Sequence, residues 1–259
     1  MVFEVTFEKG TLLKQIVDAI AELTTNVRFQ CTEDGIAIRE MDNAHVAIVL
    51  LFLSAKAFDK NYKCERSLII GVDLSTLKKA IKNVGKDDVV KLSAMDDGDT
   101  IDVSISNNKK NTLFKIRQLE IDADNYDIPV SDYDAVTTIA SSDFKGVIQD
   151  LSQWGDDNVT ITAKKKGLFF INEGDSVSAE VVIKHDGKSS SSAIIKQEVS
   201  LKVAIPKLSD FVMATVLSKE VVLSMSPNLP LLVQYALPDK YGLLQYHLAP
   251  KIENDEDFQ

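Results

Sequence analysis

Cysteine, histidine, glycine and proline are all scarce in this chain of 259 residues, which has two, three, eleven and six of them. Cys31 and Cys64 stand far apart with no CxxC spacing. That disfavours a metal or redox role, and both read as buried thiols in a reducing compartment. His45, His185 and His247 are not spaced as metal ligands, and no HExxH, GxSxG or glycine-rich phosphate loop occurs. Acids are plentiful but scattered on turns, where solvation explains them better than acid–base chemistry. No catalytic group, metal or cofactor is expected. Long hydrophobic runs are also missing. The longest, Val46–Leu53, falls well short of the ~18 residues of a membrane span. The opening MVFEVTFEKG lacks the basic and then apolar pattern of a secretion signal.

What is present is the same pattern twice. Leu13, Lys14, Ile16, Val17, Ile20 and Leu23 reappear as Phe144, Lys145, Val147, Ile148, Leu151 and Trp154, a constant offset of 131. After a one-residue slip, Asn26, Val27, Phe29, Gly35, Ile36 and Ile38 map onto Asn158, Val159, Ile161, Gly167, Leu168 and Phe170. Val72, Leu74, Leu77 and Ile81 then map onto Val203, Ile205, Leu208 and Val212 at the original offset. Such self-similarity indicates two domains of like topology, each long enough to bury its own core. The expected boundaries are 1–118 and 135–252, with a connecting strap at 119–134 and a tail at 253–259.

The strap, LEIDADNYDIPVSDYD, carries six acids, no base and one proline. Like-charge repulsion and a fixed proline φ disfavour helix there. Ile121, Tyr126, Ile128, Val130 and Tyr133 leave two readings open, a plain linker or a linker with a binding edge. The net charge of −10 is located almost wholly in this strap and in the tail acids Glu253, Asp255, Glu256 and Asp257. Without those ten acids the body holds 29 bases and 29 acids. A neutral body can still carry a basic face, because phosphate binding follows local potential.

Periodicity gives a coarse order of elements. Val2–Phe7 alternates as a half-buried strand, and Leu12–Leu23 has the stripe of an amphipathic helix with Thr11 as its cap. Val27–Cys31 and Ile36–Arg39 form a hairpin, and Val46–Leu53 is a central strand. Asp73 caps a helix reaching about Val84, on which Lys78, Lys79, Lys82 and Lys86 project from the apolar stripe. Strands at Val89–Ala94, Ile101–Ser106 and Leu113–Gln118 close the first half. The second half repeats the plan, with Ser142 capping a helix to about Trp154 and another helix near Lys207–Thr215. Trp154 reads as a core plug rather than a stacking platform. The fold class is α+β, with four short helices among many strands, a Ser-rich loop at Gly187–Ser192 and a disordered tail.

Four stretches carry a resemblance over the whole length: MDNAHVAIVLL (Met41–Leu51), the NYDIPVSDY core of the strap, LSMSPNLPLLVQY (Leu223–Tyr235) and LAPKIE (Leu248–Glu253). In this order they resemble the eukaryotic DNA sliding clamps, the proliferating cell nuclear antigen family. The resemblance implies a nuclear, non-enzymatic ring-shaped homotrimer, with helices lining the hole and sheets outside. Duplex DNA would thread the hole in a sequence-independent way. Polymerases, nucleases, ligase and the clamp loader would dock through short motifs, and no membrane is involved.

It also implies residues. DNA contact would fall to Lys14, Lys78, Lys79, Lys82 and Lys145. The groove for partner motifs would comprise Met41, His45, Val46, Tyr126, Ile128, Pro129, Pro230, Ala249, Pro250 and Ile252. Subunits would meet through Phe114 on one edge and Ser178 on the other, and Lys164 falls at the family's ubiquitin-acceptor position. The sequence departs from the family pattern where Tyr126 replaces leucine, His247 replaces tyrosine and Gln149 replaces arginine. Ser209, Asp210 and Met213 occupy the repeat positions of Lys78, Lys79 and Lys82, which weights DNA contact toward the first domain. The rival reading is a checkpoint-type or scaffold clamp subunit that assembles with different chains.

Overall fold

A computed structural model describes residues 1–96, 98–122, 132–154, 157–174, 176–185 and 192–251. The chain divides into two compact units, one of residues 1–128 with 236–245 and the other of 129–235 with 246–259.

The first unit begins with β1 (Phe3–Phe7), α1 (Gly10–Ala21), β2 (Asn26–Thr32), β3 (Gly35–Met41), β4 (Ala47–Ser54) and the single turn α2 (Ala55–Phe58). It continues through β5 (Tyr62–Cys64), β6 (Leu68–Asp73), α3 (Leu74–Ala80), β7 (Val89–Ala94), β8 (Thr100–Ser106) and β9 (Asn111–Arg117). One sheet has the order β5-β1-β7-β8-β9, and β4-β3-β2-β6 are consecutive in another. Phe3, Val5 and Phe7 alternate inward along β1, and Leu12, Leu13, Ile16, Val17 and Ile20 bury one stripe of α1.

The second unit repeats this with β10 (Ala135–Ala140), α4 (Ser141–Leu151), β11 (Asn158–Lys164), β12 (Gly167–Glu173) and β13 (Ser178–Lys184). Then come β14 (Ser192–Ile195), β15 (Val199–Ala204), α5 (Ile205–Phe211), β16 (Glu220–Met225), β17 (Leu231–Ala236) and β18 (Gly242–Leu248), of which Gly242–Gln245 count with the first unit. Its strands run β14-β10-β16-β17 in one sheet and β13-β12-β11-β15 in another, which is the first unit's order element for element. Phe144, Ile148, Phe170, Leu208 and Phe211 are fully enclosed, and the rings of Phe211 and Tyr246 stack at 4.5 Å.

The duplication extends to single hydrogen bonds, and these correct two expected caps. α1 starts at Gly10 rather than after Thr11, because Gly10 N–H donates to the Asp88 carbonyl at 2.8 Å. A Cβ at residue 10 would lie 2.6 Å from Val90 Cγ2, so the approach of β7 requires glycine there. At the equivalent place 131 residues on, Ser141 N–H donates to the Lys219 carbonyl at 2.9 Å. α4 therefore starts at Ser141, and the Ser142 hydroxyl contacts Asp143 instead of capping. The carbonyl of the residue just before β7 or β16 thus accepts the first N–H of each helix, and no side-chain cap forms at either start.

Asp73 does cap α3, accepting from Ser75 N–H at 2.7 Å and Thr76 N–H at 3.1 Å. That helix ends at Ala80, short of the expected Val84. Ile81 and Val84 stay buried in tightened turns, since their three-residue spacing suits a 3-10 turn. α5 likewise passes into a 3-10 segment at Val212–Val216. Trp154 is not a core plug. α4 stops at Leu151, and the turn that follows leaves the indole 51% exposed, whereas its equivalent Leu23 is buried. The short strands β5 and β14 escaped periodicity, being three and four residues long. The Gly187–Ser191 part of the Ser-rich loop and the tail beyond Lys251 lie outside the described residues.

Candidate nucleic-acid interface and docking surfaces

The amphipathic design of α1 leaves Lys14, Asp18 and Glu22 at four-residue intervals on the side away from its buried stripe. Lys78 of α3 meets that row. Its Nζ lies 3.1 Å from Glu22 Oε1 and 3.5 Å from Asp18 Oδ1, with all three side chains between a third and a half exposed. Acceptance by Glu22 raises the Lys78 ammonium above the ordinary lysine range. Lys79 and Lys82 are exposed beside it. Four of the five lysines expected to face DNA thus belong to the first unit, Lys14 on α1, Lys78 and Lys79 on α3, and Lys82 in the turn after it.

The corresponding surface of the second unit differs in charge. Lys145 is half-buried on α4, one turn from the helix start. Lys207 pairs with Asp210 at 3.8 Å within α5. Met213 is 45% exposed and Val216 59% exposed in the 3-10 segment. The Gln153 amide donates to the Gln149 carbonyl of its own helix at 3.3 Å.

Of the expected docking groove, Met41, His45 and Val46 belong to the first unit. The buried Asp42 carboxylate accepts from Val46 N–H and Ala47 N–H, both at 2.8 Å. This locks a turn in which His45 takes φ 56° and Val46 is 40% exposed. Pro230, Ala249 and Pro250 line a cavity of about 750 Å³ in the second unit, together with Pro227, Asn228 and Lys202. Tyr126, Ile128, Pro129 and Ile252 lie outside the described residues.

The two described ends of the strap are tied down separately. Leu119 N–H donates to the Gly71 carbonyl at 2.9 Å. A Cβ at residue 71 would lie 2.0 Å from the Leu119 oxygen, so only glycine permits that approach. Arg28 Nη1 donates to the Asp122 carbonyl at 3.1 Å. Its Nε and backbone N–H both donate to Glu40 Oε1, at 3.0 and 2.9 Å, in a buried pair. At the other end Asp132 pairs with Lys196 at 2.5 Å, and Asp134 N–H donates to Ser226 Oγ at 2.8 Å.

β9 and β13 each lie at one edge of their sheet among the described residues. Leu113 is 55% and Phe114 38% exposed on β9, and Ser178 is exposed at the start of β13. Lys164 ends β11 with its ammonium 5.3 Å from the Phe169 ring centroid. Cys31 is buried, which pushes its thiol up, and Cys64 is half-buried; both are free.

Sequence reasoning missed the Arg28–Glu40 pair and the acids that hold Lys78. Arg28 stands in a strand among buried neighbours, which was a readable sign of a buried charge seeking a partner. The Asp18 and Glu22 contacts had only their four-residue spacing to announce them.

Comparison with known families gives two adjoining matches. The model described as proliferating cell nuclear antigen, N-terminal domain, matches residues 2–126. The model for the C-terminal domain of the same family matches residues 127–251.

Proposed function

The chain belongs to the proliferating cell nuclear antigen family, and on that premise we propose that it is a nuclear, non-enzymatic DNA polymerase processivity factor. Three copies form a ring around duplex DNA and hold replication and repair enzymes to it. Sliding requires a grip on phosphates that ignores base sequence, which suits exposed lysines on a helical face. Lys14, Lys79, Lys82 and Lys145 supply that grip, and Lys78 joins the same face already paired.

The observation that carries ring formation is the repeat itself. Within the first unit, Gly242–Gln245 of β18 runs beside β4. The repeat equivalents of β18 and β4 are β9 and β13, which are both outer strands. Pairing β9 of one copy with β13 of the next, head to tail, reproduces the same join and removes two open edges. Phe114 and Ser178 fall on that seam.

The docking role rests on the turn at Met41–Val46, the cavity beside Pro230 and Pro250, and the strap residues Tyr126, Ile128 and Pro129. A partner's short helical turn would insert one aliphatic and two aromatic anchors there. The acidic strap would favour basic residues beside that motif, mainly through association rate.

The mass of the pure chain in solution tests the proposal. The expected value is three times the 28.6 kDa chain. A monomer at micromolar concentration that assembles only with different chains would overturn it in favour of a hetero-oligomeric clamp subunit.

A further inference from the structure

The five lysines expected on the DNA-facing surface are not equivalent. Lys78 is held by two carboxylates of the neighbouring helix, at 3.1 and 3.5 Å, so the local group carries a net negative charge. The half-buried setting strengthens those contacts relative to a fully solvated pair. We infer that Asp18 and Glu22 compete with DNA phosphate for Lys78, so that this lysine is withheld from the phosphate grip and the clamp holds DNA more loosely than its lysine count implies.

The repeat supports this reading independently. The positions of Lys78, Asp18 and Glu22 recur in the second unit as Ser209, Gln149 and Gln153. All three are uncharged, and Gln153 turns back to the carbonyl of Gln149. One repeat cancels the cation at this site with two acids, and the other dispenses with charge there altogether. Both solutions leave no available positive charge at the same place, and a sliding contact benefits from that. Each engaged phosphate releases counterions and steepens the salt dependence of binding by about 0.9 in log–log slope.

The inference rests on the proposal that DNA passes this helical face, and the test separates the two. Clamp–DNA affinity is measured against salt concentration for intact trimers of six proteins. These are the wild type, Lys78→Gln, Asp18→Asn with Glu22→Gln, that double variant with Lys78→Gln added, Lys79→Gln, and Lys82→Gln. Trimer mass is confirmed for each. Lys78→Gln alone is expected to leave the slope unchanged. The double acid variant is expected to steepen it by about 0.9 per engaged subunit, or roughly 3.5-fold in affinity between 50 and 200 mM salt. Adding Lys78→Gln should abolish that gain.

A gain that survives loss of Lys78 means the acids act by general repulsion, which overturns the inference. A drop for Lys78→Gln alone as large as that for Lys82→Gln overturns it too, as does an unchanged slope in the double acid variant while the Lys79 and Lys82 variants weaken binding. If the Lys79 and Lys82 variants also match wild type, the DNA-facing reading itself fails.

Discussion

Replacing Glu40 with alanine should be among the most damaging single changes in the first unit. Arg28 and Glu40 are 4% and 10% exposed at their side chains. The substitution strips one carboxylate oxygen from two donors, the Arg28 backbone N–H and Nε. It leaves a buried guanidinium that keeps its hydrogen bond to the Asp122 carbonyl. Breaking one side of a buried ion pair costs about 3–5 kcal/mol, and the surviving carbonyl contact places the expected loss near the lower figure, about 3 kcal/mol. That is a large part of the ~5–15 kcal/mol that stabilises a typical domain. Urea unfolding at one fixed protomer concentration reads the change without confusing it with subunit dissociation. Arg28→Met with Glu40→Leu removes both charges together and should recover to within about 1 kcal/mol of wild type. A Glu40→Ala protein within about 1 kcal/mol of wild type would refute the reasoning. So would a double variant no better than the single.

Phe114→Ala removes an exposed ring from the outer strand β9 and should shift the trimer toward monomer at micromolar concentration, as read by solution mass; a variant still trimeric on dilution removes Phe114 from the seam. Ile128→Ala should abolish binding of a fluorescent motif peptide while leaving trimer mass unchanged, and an unaltered dissociation constant would place the groove elsewhere. Asp73→Ala should cost about 1 kcal/mol at neutral pH through loss of the α3 cap. Hydrogen bonds from Ser75 and then Thr76 hold the Asp73 carboxyl below its ordinary range. Its contribution is therefore present above that range and lost as pH falls through the lowered value, so wild type and Asp73→Ala should converge in unfolding assays only once the pH is taken below the ordinary aspartate range. A gap that stays constant into acid would mean the cap acts without its charge.

Much of the fold could be read in the sequence because its signals lie in buried side chains. The offset of 131 holds for Leu13, Ile16, Val17 and Ile20 because each has a counterpart on the same stripe of α4, where a change of polarity would open the core. Failures came where backbone or tertiary context replaced a side-chain signal. Thr11 and Ser142 looked like caps, yet the first helix N–H groups bond to the carbonyls of Asp88 and Lys219, the residues just before β7 and β16. Ile81 and Val84 fitted a helical stripe as well as they fit the 3-10 turn that holds them. Trp154 matched Leu23 in register but not in burial, since nothing in apolar periodicity records where a helix stops. The expected site residues came from family resemblance, and the hydrogen-bond and ion-pair partners that the structure gives them were not legible. A lysine on a helix has the same sequence signature whether it faces solvent, phosphate or the acids of a neighbouring helix.

Duplication explains why the two kinds of signal diverged. The bonds Gly10 to Asp88 and Ser141 to Lys219 persist at the same register, because losing either would leave a helix start unsatisfied in a packed setting. The solvent sides of the same helices carry no such constraint. Lys79 has become Asp210, and Lys82 has become Met213, with the fold intact around both. The proposed ring of six like units would need all six scaffolds but not six equal grips on DNA. Sliding tolerates unequal contacts, since each phosphate met is replaced by the next along the duplex. On that proposal the first unit would carry the charge, and the second could expose Met213 and Val216 in its 3-10 segment without cost to encirclement.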